Sequence, residues 1–212
     1  LYSASVIYPA TEKHINKYRD QDQFRVEETW DDYQNITLPY IEESAFNNQW
    51  VYNILEKKSE ADRIIFEDPD PDLGFLLAPD LKWDGKSVEN LYVTAIVMRR
   101  DIKSIRDLKQ EHLPLLGNLW TKSLEAITKT YNVPANQILA YFHYQPSYYH
   151  LHVHFIHLKY QAPGSGTSKA HLIGEVIENI KLKSEAYQKK TLTCVLKAND
   201  QLLLKFKENG RV

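Results

Sequence analysis

The hydrophobic pattern changes period several times along the chain. Around residues 50–58 apolar side chains recur at 50, 51, 54 and 55, the spacing of one helical face. On that pattern alone Trp50 is a core residue. Short apolar runs at 63–67 and 75–78 flank Asp68-Pro-Asp-Pro-Asp-Leu-Gly74, a turn signal, so both read as strands. Residues 90–98 form a third strand, apolar enough to be buried. Residues 104–108 open a helical region that 112–131 continue, with Leu115, Leu116, Leu119, Leu124 and Ile127 on one face. Residues 137–144 return to strand spacing, and Pro146-Ser147 breaks the run. The stretch after the break alternates strictly, so it reads as the partner strand of a hairpin-like pair.

The two ends are less patterned. Residues 1–9 read as extended or linker, and Thr11 can cap a helix to about Asp20. Lys13 and Lys17, four apart, read as solvated charges when taken alone. The acidic stretch 27–32 reads as helix or loop, ended by Leu38-Pro39. Pro163-Gly164-Ser165-Gly166 is a flexible loop. Residues 170–180 read as a helix, 192–196 as the last strand and 200–207 as the last helix. Strands and helices mix without strict βαβ alternation. The expected fold is therefore α+β, an antiparallel sheet with flanking helices, preceded by a short helical segment. Residues 1–20 form a hinge and lead-in helix, and 21–212 form one domain whose core runs from about 62 to 196.

Composition narrows the function. A length of 212 residues suffices for a proper core. The formal net charge of −2 argues against a protein that coats long nucleic acid and is compatible with a small nucleotide substrate. A single cysteine, Cys194, excludes an internal disulfide and fits a reducing compartment. No apolar run approaches a membrane span, so no membrane partner is expected. Fourteen tyrosines and four tryptophans supply surfaces suited to base stacking, though most aromatics serve packing.

Five of the eight histidines fall between His143 and Leu158. On a strand, His150, His152 and His154 line one face while Leu151, Val153 and Phe155 line the other. An imidazole face is costly unless the ring nitrogens find partners, which points to a site rather than a core. Two alternatives stand beside that reading. The histidines could be separately satisfied structural residues. They could also ligate zinc, although no Asp or Glu lies between 143 and 158 to complete such a set. His157 has the opposite parity and reads as structural.

The string His150-Leu-His152-Val-His154-Phe-Ile resembles the signature of the histidine triad hydrolases and transferases of nucleotides. That resemblance implies His152 as nucleophile on phosphorus, with His150 and His154 orienting it, and no metal or other cofactor. A neutral imidazole suits the task, since its unperturbed pKa is ~6.5. Longer strings resemble the scavenger mRNA decapping enzymes within that group. They include Tyr8 to His14, Asp31 to Pro39, Gln49 to Leu55, Glu60 to Glu67, Pro79 to Trp83, His143 to Phe155 and Ala162 to Gly166.

The rest is what this resemblance implies. The activity is hydrolysis of the residual 7-methylguanosine cap dinucleotide, or a short capped oligonucleotide, after 3′-to-5′ mRNA decay. The products are 7-methyl-GMP and a nucleoside diphosphate. A cap-binding module with little turnover and a general histidine-triad nucleotide hydrolase are the alternatives. Trp50 stacks on the cationic methylated base, and Glu60 accepts from guanine donors. Pro79, Asp80, Leu81 and Lys82 line the base pocket. Ser147, Tyr148, Lys17 and Lys169 meet phosphate oxygens, and His143 joins the triad. Lys169 stands where relatives carry Arg and lacks the bidentate fork. The resemblance also implies a homodimer, residence in cytoplasm and nucleus, and a swapped N-terminal domain that this stretch lacks.

Overall fold

A computed structural model of the chain describes residues 6, 8–12, 15, 19–43 and 48–212. Most of the expected lead-in helix, with Lys13 and Lys17, lies outside the described residues. Two helix-type bonds remain within them, from the Ile15 and Arg19 amides to the Thr11 and Ile15 carbonyls.

Two sheets organise the rest. The smaller pairs β1 (Gln23–Glu28) with β8 (Leu192–Lys197). The larger has six antiparallel strands: β2 (Phe66–Asp68), β3 (Phe75–Pro79), β4 (Tyr92–Val97), β5 (Ile138–His143), β6 (His152–His157) and β7 (Ala170–Leu172). Their spatial order is β2-β3-β4-β6-β5-β7, so the histidine strand is central. The α+β class and the antiparallel sheet agree with the sequence reading.

One side of this sheet packs against helices. Helix Leu113–Tyr131 presents Leu115, Leu116, Leu119 and Ile127, all buried, and stops where Asn132 takes a left-handed conformation. Helix Ile173–Leu182 adds Ile173, Val176, Ile177 and Ile180. Each such side chain contributes about 1.5–3 kcal/mol on burial. Helix Gln201–Glu208 is capped by the Asp200 carboxylate, which accepts the Leu202 amide at 3.0 Å.

Several expectations are corrected. Residues 23–28 form a strand, because Val26 and Glu28 turn inward opposite Cys194 and Leu192. The acidic run hid this, since Glu28 is a buried carboxylate paired with a buried arginine. Leu38-Pro39 does not end the next helical run, which continues through Leu38–Glu43. Tyr33–Thr37 is π-wound, with the Leu38 amide bonded to the carbonyl of Tyr33. That widened turn precedes Pro39, which has no N–H to contribute. Residues 61–63 turn in a 3₁₀ helix, so the strand expected at 63–67 begins at Phe66. Residues 170–172 pair with β5 as a strand before the helix starts at Ile173. Trp50 lies on helix Gln49–Leu55 but is 43% exposed; Val51 and Ile54 face the core instead.

Candidate active site

The site rests on the face of β6 opposite the helices. Register places His154 across from Thr94 of β4 and Tyr141 of β5, and His152 across from Ile96. Val153 and Phe155 are fully buried in the core, so the alternation forces His152 and His154 onto the other face together. Their rings meet edge to face at 4.9 Å between centroids. His143, at the end of β5, comes within 4.1 Å of the His154 ring. The hairpin thus brings His143 to the triad.

Hydrogen bonds to carbonyl oxygens fix the tautomers of His152 and His150. His152 Nδ1 lies 2.7 Å from the carbonyl oxygen of His150. A carbonyl only accepts, so Nδ1 carries the proton and Nε2 keeps a bare lone pair. His150 Nε2 donates in the same way to the Val97 carbonyl at 2.8 Å. His154 Nδ1 sits 3.1 Å from the Tyr92 hydroxyl and 3.4 Å from that of Thr94. Thr94 donates to the Asp80 carboxylate at 3.3 Å, so toward Nδ1 its hydroxyl can only accept, whereas the Tyr92 hydroxyl can donate to Nδ1 or accept from it. Burial holds the Tyr92 phenol protonated by raising its pKa. Tyr92 as donor would place the His154 proton on Nε2. Among the described residues, the buried Nε2 atoms of His143 and His154 have no partner. A bound anion would supply one.

Burial also sets the charge state. Desolvation, reinforced by Lys169, His152 and Lys82, lowers His143 to about 3. Desolvation lowers His152 to about 4, and drives His154 well below the usual range. The three rings are neutral near pH 7, as a nitrogen nucleophile requires. Their ligand atoms lie within 4.8 Å of one another. A tetrahedral zinc with 2.0–2.1 Å bonds would need its nitrogens roughly 3.4 Å apart, so the widest-spaced would have to move inward to hold one.

The other sequence-derived residues are distributed around this floor. Tyr148 stacks on His152, with centroids 4.0 Å apart and planes 14° apart. Trp50 meets Tyr148 edge to face, with centroids 4.7 Å apart. Leu81 stands 74% exposed on the loop after β3, and Ser147 is exposed on the turn before Tyr148. Lys82 lies 5.6 Å over the Tyr92 ring. Asp80 binds both Thr94 and the Lys82 amide. Partly buried Lys169 has its pKa lowered, first by desolvation. Glu60 is tied to Arg63 at 2.7 Å, and Arg63 in turn donates to the Pro79 carbonyl. Lys17 lies outside the described residues. His157 is at the end of β6, where its Nδ1 accepts the Lys159 amide at 3.1 Å and closes a turn.

Sequence reasoning missed Tyr92, Thr94 and Arg63. The first two alternate on β4, and polar groups in a buried strand were the available signal. Arg63 follows Glu60 by three residues, the spacing of an ion pair on a helical turn.

A family model, scavenger mRNA decapping enzyme C-term binding, matches residues 49–170, more than half of the chain. The chain belongs to this scavenger decapping enzyme family. The matched segment runs from the helix of Trp50 to Ala170 and includes the triad. The chain is also similar to curated proteins named m7GpppX diphosphatase. Identity is 55% to the pig protein over 98% of this chain, 55% to the human protein over 94%, and 51% to that of Caenorhabditis elegans over 98%. The chain spans 61%, 59% and 67% of the lengths of those three scavenger decapping relatives.

Proposed function

We propose that the chain is the catalytic core of a scavenger decapping enzyme. It hydrolyses the 7-methylguanosine cap dinucleotide, or a short capped oligonucleotide, left by 3′-to-5′ decay. The observation that carries this reading is the bond from His152 Nδ1 to the His150 carbonyl, which leaves a bare Nε2 in a buried polyimidazole site. The names of the relatives support the substrate class.

The chemistry has two steps. His152 Nε2 attacks the phosphorus next to 7-methylguanosine. An N–P bond forms as the P–O bond to the nucleoside diphosphate breaks, and the diphosphate leaves with the electron pair. Water then attacks the phosphohistidine, which returns the electron pair to Nε2, and 7-methyl-GMP departs. His154 Nε2–H is placed to donate to a phosphate oxygen or the leaving oxygen. Lys82 and Lys169 add positive charge without neutralising the nucleophile. Ser147, Tyr148 and, from the lead-in segment, Lys17 complete the phosphate contacts. Trp50 offers a half-open indole to the cationic base, with Leu81 as the opposite wall. Glu60, oriented by Arg63, meets the guanine donors. The family resemblance extends this reading to a homodimer of cytoplasm and nucleus.

The test is incubation of the purified chain with 7-methyl-GpppG in EDTA, followed by chromatography. The expected products are 7-methyl-GMP and GDP. Appearance of 7-methyl-GDP and GMP would place the attack on the wrong phosphorus and overturn the assignment.

A further inference from the structure

The 146–148 turn that lays Tyr148 on His152 has no regular structure of its own and is partly exposed. Its orientation must come from its two ends. Gln145 and Tyr149 bracket it, and the Tyr149 hydroxyl donates to Gln145 Oε1 at 2.9 Å, closing the turn. Gln145 Nε2 then donates to Glu28 Oε2 at 2.8 Å. Glu28 belongs to β1, in the other sheet. Its carboxylate is fully buried and also accepts from Arg106 at 2.6 Å, from Thr37 at 2.6 Å and from the Tyr144 hydroxyl. Arg106, equally buried, also donates from Nη2 to the Glu28 carbonyl at 3.0 Å, and from Nη1 to the carbonyls of Tyr187 and Lys190, both at 2.7 Å. The Tyr149 carbonyl also accepts from the Asn48 side chain, through Nδ2, at 2.9 Å. Asn48 is the N-cap of the helix that carries Trp50.

The geometry points to Glu28 and Gln145 as remote positioning residues that hold the 146–148 turn against His152 and Trp50. A buried ion pair is a poor way to gain stability, since apolar residues of similar volume often do as well. What it does supply is a fixed direction. Here a saturated carboxylate, held by Arg106 from behind, directs one oxygen at the amide that spans the turn. The same turn touches the nucleophile through Tyr148 and the base platform through Asn48, so one anchor sets both. Its kinetic consequence rests on the decapping reading; its geometric consequence does not.

Gln145→Leu in the full chain is the test, read by NMR of the His152 ring protons and by turnover of 7-methyl-GpppG. The stacked Tyr148 ring shields those protons, and Tyr148→Leu gives the unstacked position. Gln145→Leu is expected to move the signals most of the way there and to lower kcat roughly 10- to 100-fold. Tyr149→Phe, which deletes one hydroxyl, should shift both in the same direction by less and guards against misfolding of the first variant. Thr37→Val removes another donor from the same Glu28 oxygen without touching the turn. It should lower Tm yet leave the His152 signals and kcat unchanged. Unmoved His152 signals in Gln145→Leu and Tyr149→Phe would overturn the inference, as would Thr37→Val reproducing their shifts. If the unaltered chain cleaves nothing, the decapping reading fails, and the NMR comparison still decides the positioning role.

Discussion

The floor and the rim of the site are built on opposite principles. The floor is His143, His152 and His154, all buried, on two paired strands whose register leaves no choice of direction. The rim is Trp50, Leu81, Ser147 and Glu60, on a short helix and turns, with Trp50 half-open and Leu81 largely open to solvent. A dry floor keeps its imidazoles neutral and fixes the proton of His152 on Nδ1 before any ligand arrives. An open rim keeps apolar surface in water until a ligand covers it. On the proposed function, chemistry falls to the buried, strand-held part of the site, and recognition to surfaces that remain available.

The largest effect should follow from the floor. His152→Asn keeps a polar side chain of smaller size but removes the attacking nitrogen. Turnover is expected to fall by at least ~10⁴-fold while cap binding, measured by fluorescence titration, changes little. Residual turnover near the original rate would remove His152 as nucleophile. Acid should act next, through the same burial. In the unfolded chain each imidazole titrates near ~6.5, but His143 and His152 fall to about 3 and about 4 in the folded protein. Between those values the unfolded chain binds more protons. Stability is therefore full above pH ~6.5 and is lost as pH falls towards 4. Each such histidine contributes up to ~1.4 kcal/mol per pH unit. Urea midpoints measured from pH 7.5 to 4.5 should fall steeply, and less steeply in His152→Asn. A flat profile would mean that the floor is wet.

A smaller change separates the two regions further. Tyr92→Phe removes the hydroxyl bonded to His154 Nδ1, which on the proposed mechanism holds the proton on Nε2, and nothing on the rim. The loss of one such hydrogen bond is about 1–1.5 kcal/mol, so kcat should fall roughly tenfold with KM nearly constant. An increase in KM with kcat intact would shift Tyr92 from the chemistry to binding.

The floor was legible in the sequence because strand alternation is a two-state code. Once Val153 and Phe155 are core, His152 and His154 have one place to go. The partners on β4 were not legible, since which strand lies beside β6 depends on an order, β3-β4-β6-β5, that periodicity does not contain. β1 was misread for a related reason. An acidic residue in a short segment looks solvated until Arg106, 78 residues away, is seen to bury it. Trp50 shows the reverse failure. Helical spacing assigned it to the core beside Val51, and only its family match set it at the site. A large apolar residue reserved for a ligand carries the same local signal as one reserved for the core.

That ambiguity is what the smallest predicted effect resolves. Were Trp50 a core residue, Trp50→Ala would cost about 3–5 kcal/mol of stability. With the side chain 43% exposed and edge-on to Tyr148, the expected loss is below ~1.5 kcal/mol. The effect on recognition has a different signature. Stacking of a cation on an indole contributes about 0.5–2 kcal/mol beyond that of a neutral ring. Trp50→Ala should then reduce the preference for 7-methyl-GpppG over unmethylated GpppG by roughly 2- to 30-fold, measured as a ratio of Kd values. An equal loss for both ligands would make Trp50 a general apolar wall and leave the discrimination to Glu60. A large drop in Tm with the ratio intact would return Trp50 to the core, where the periodicity first put it.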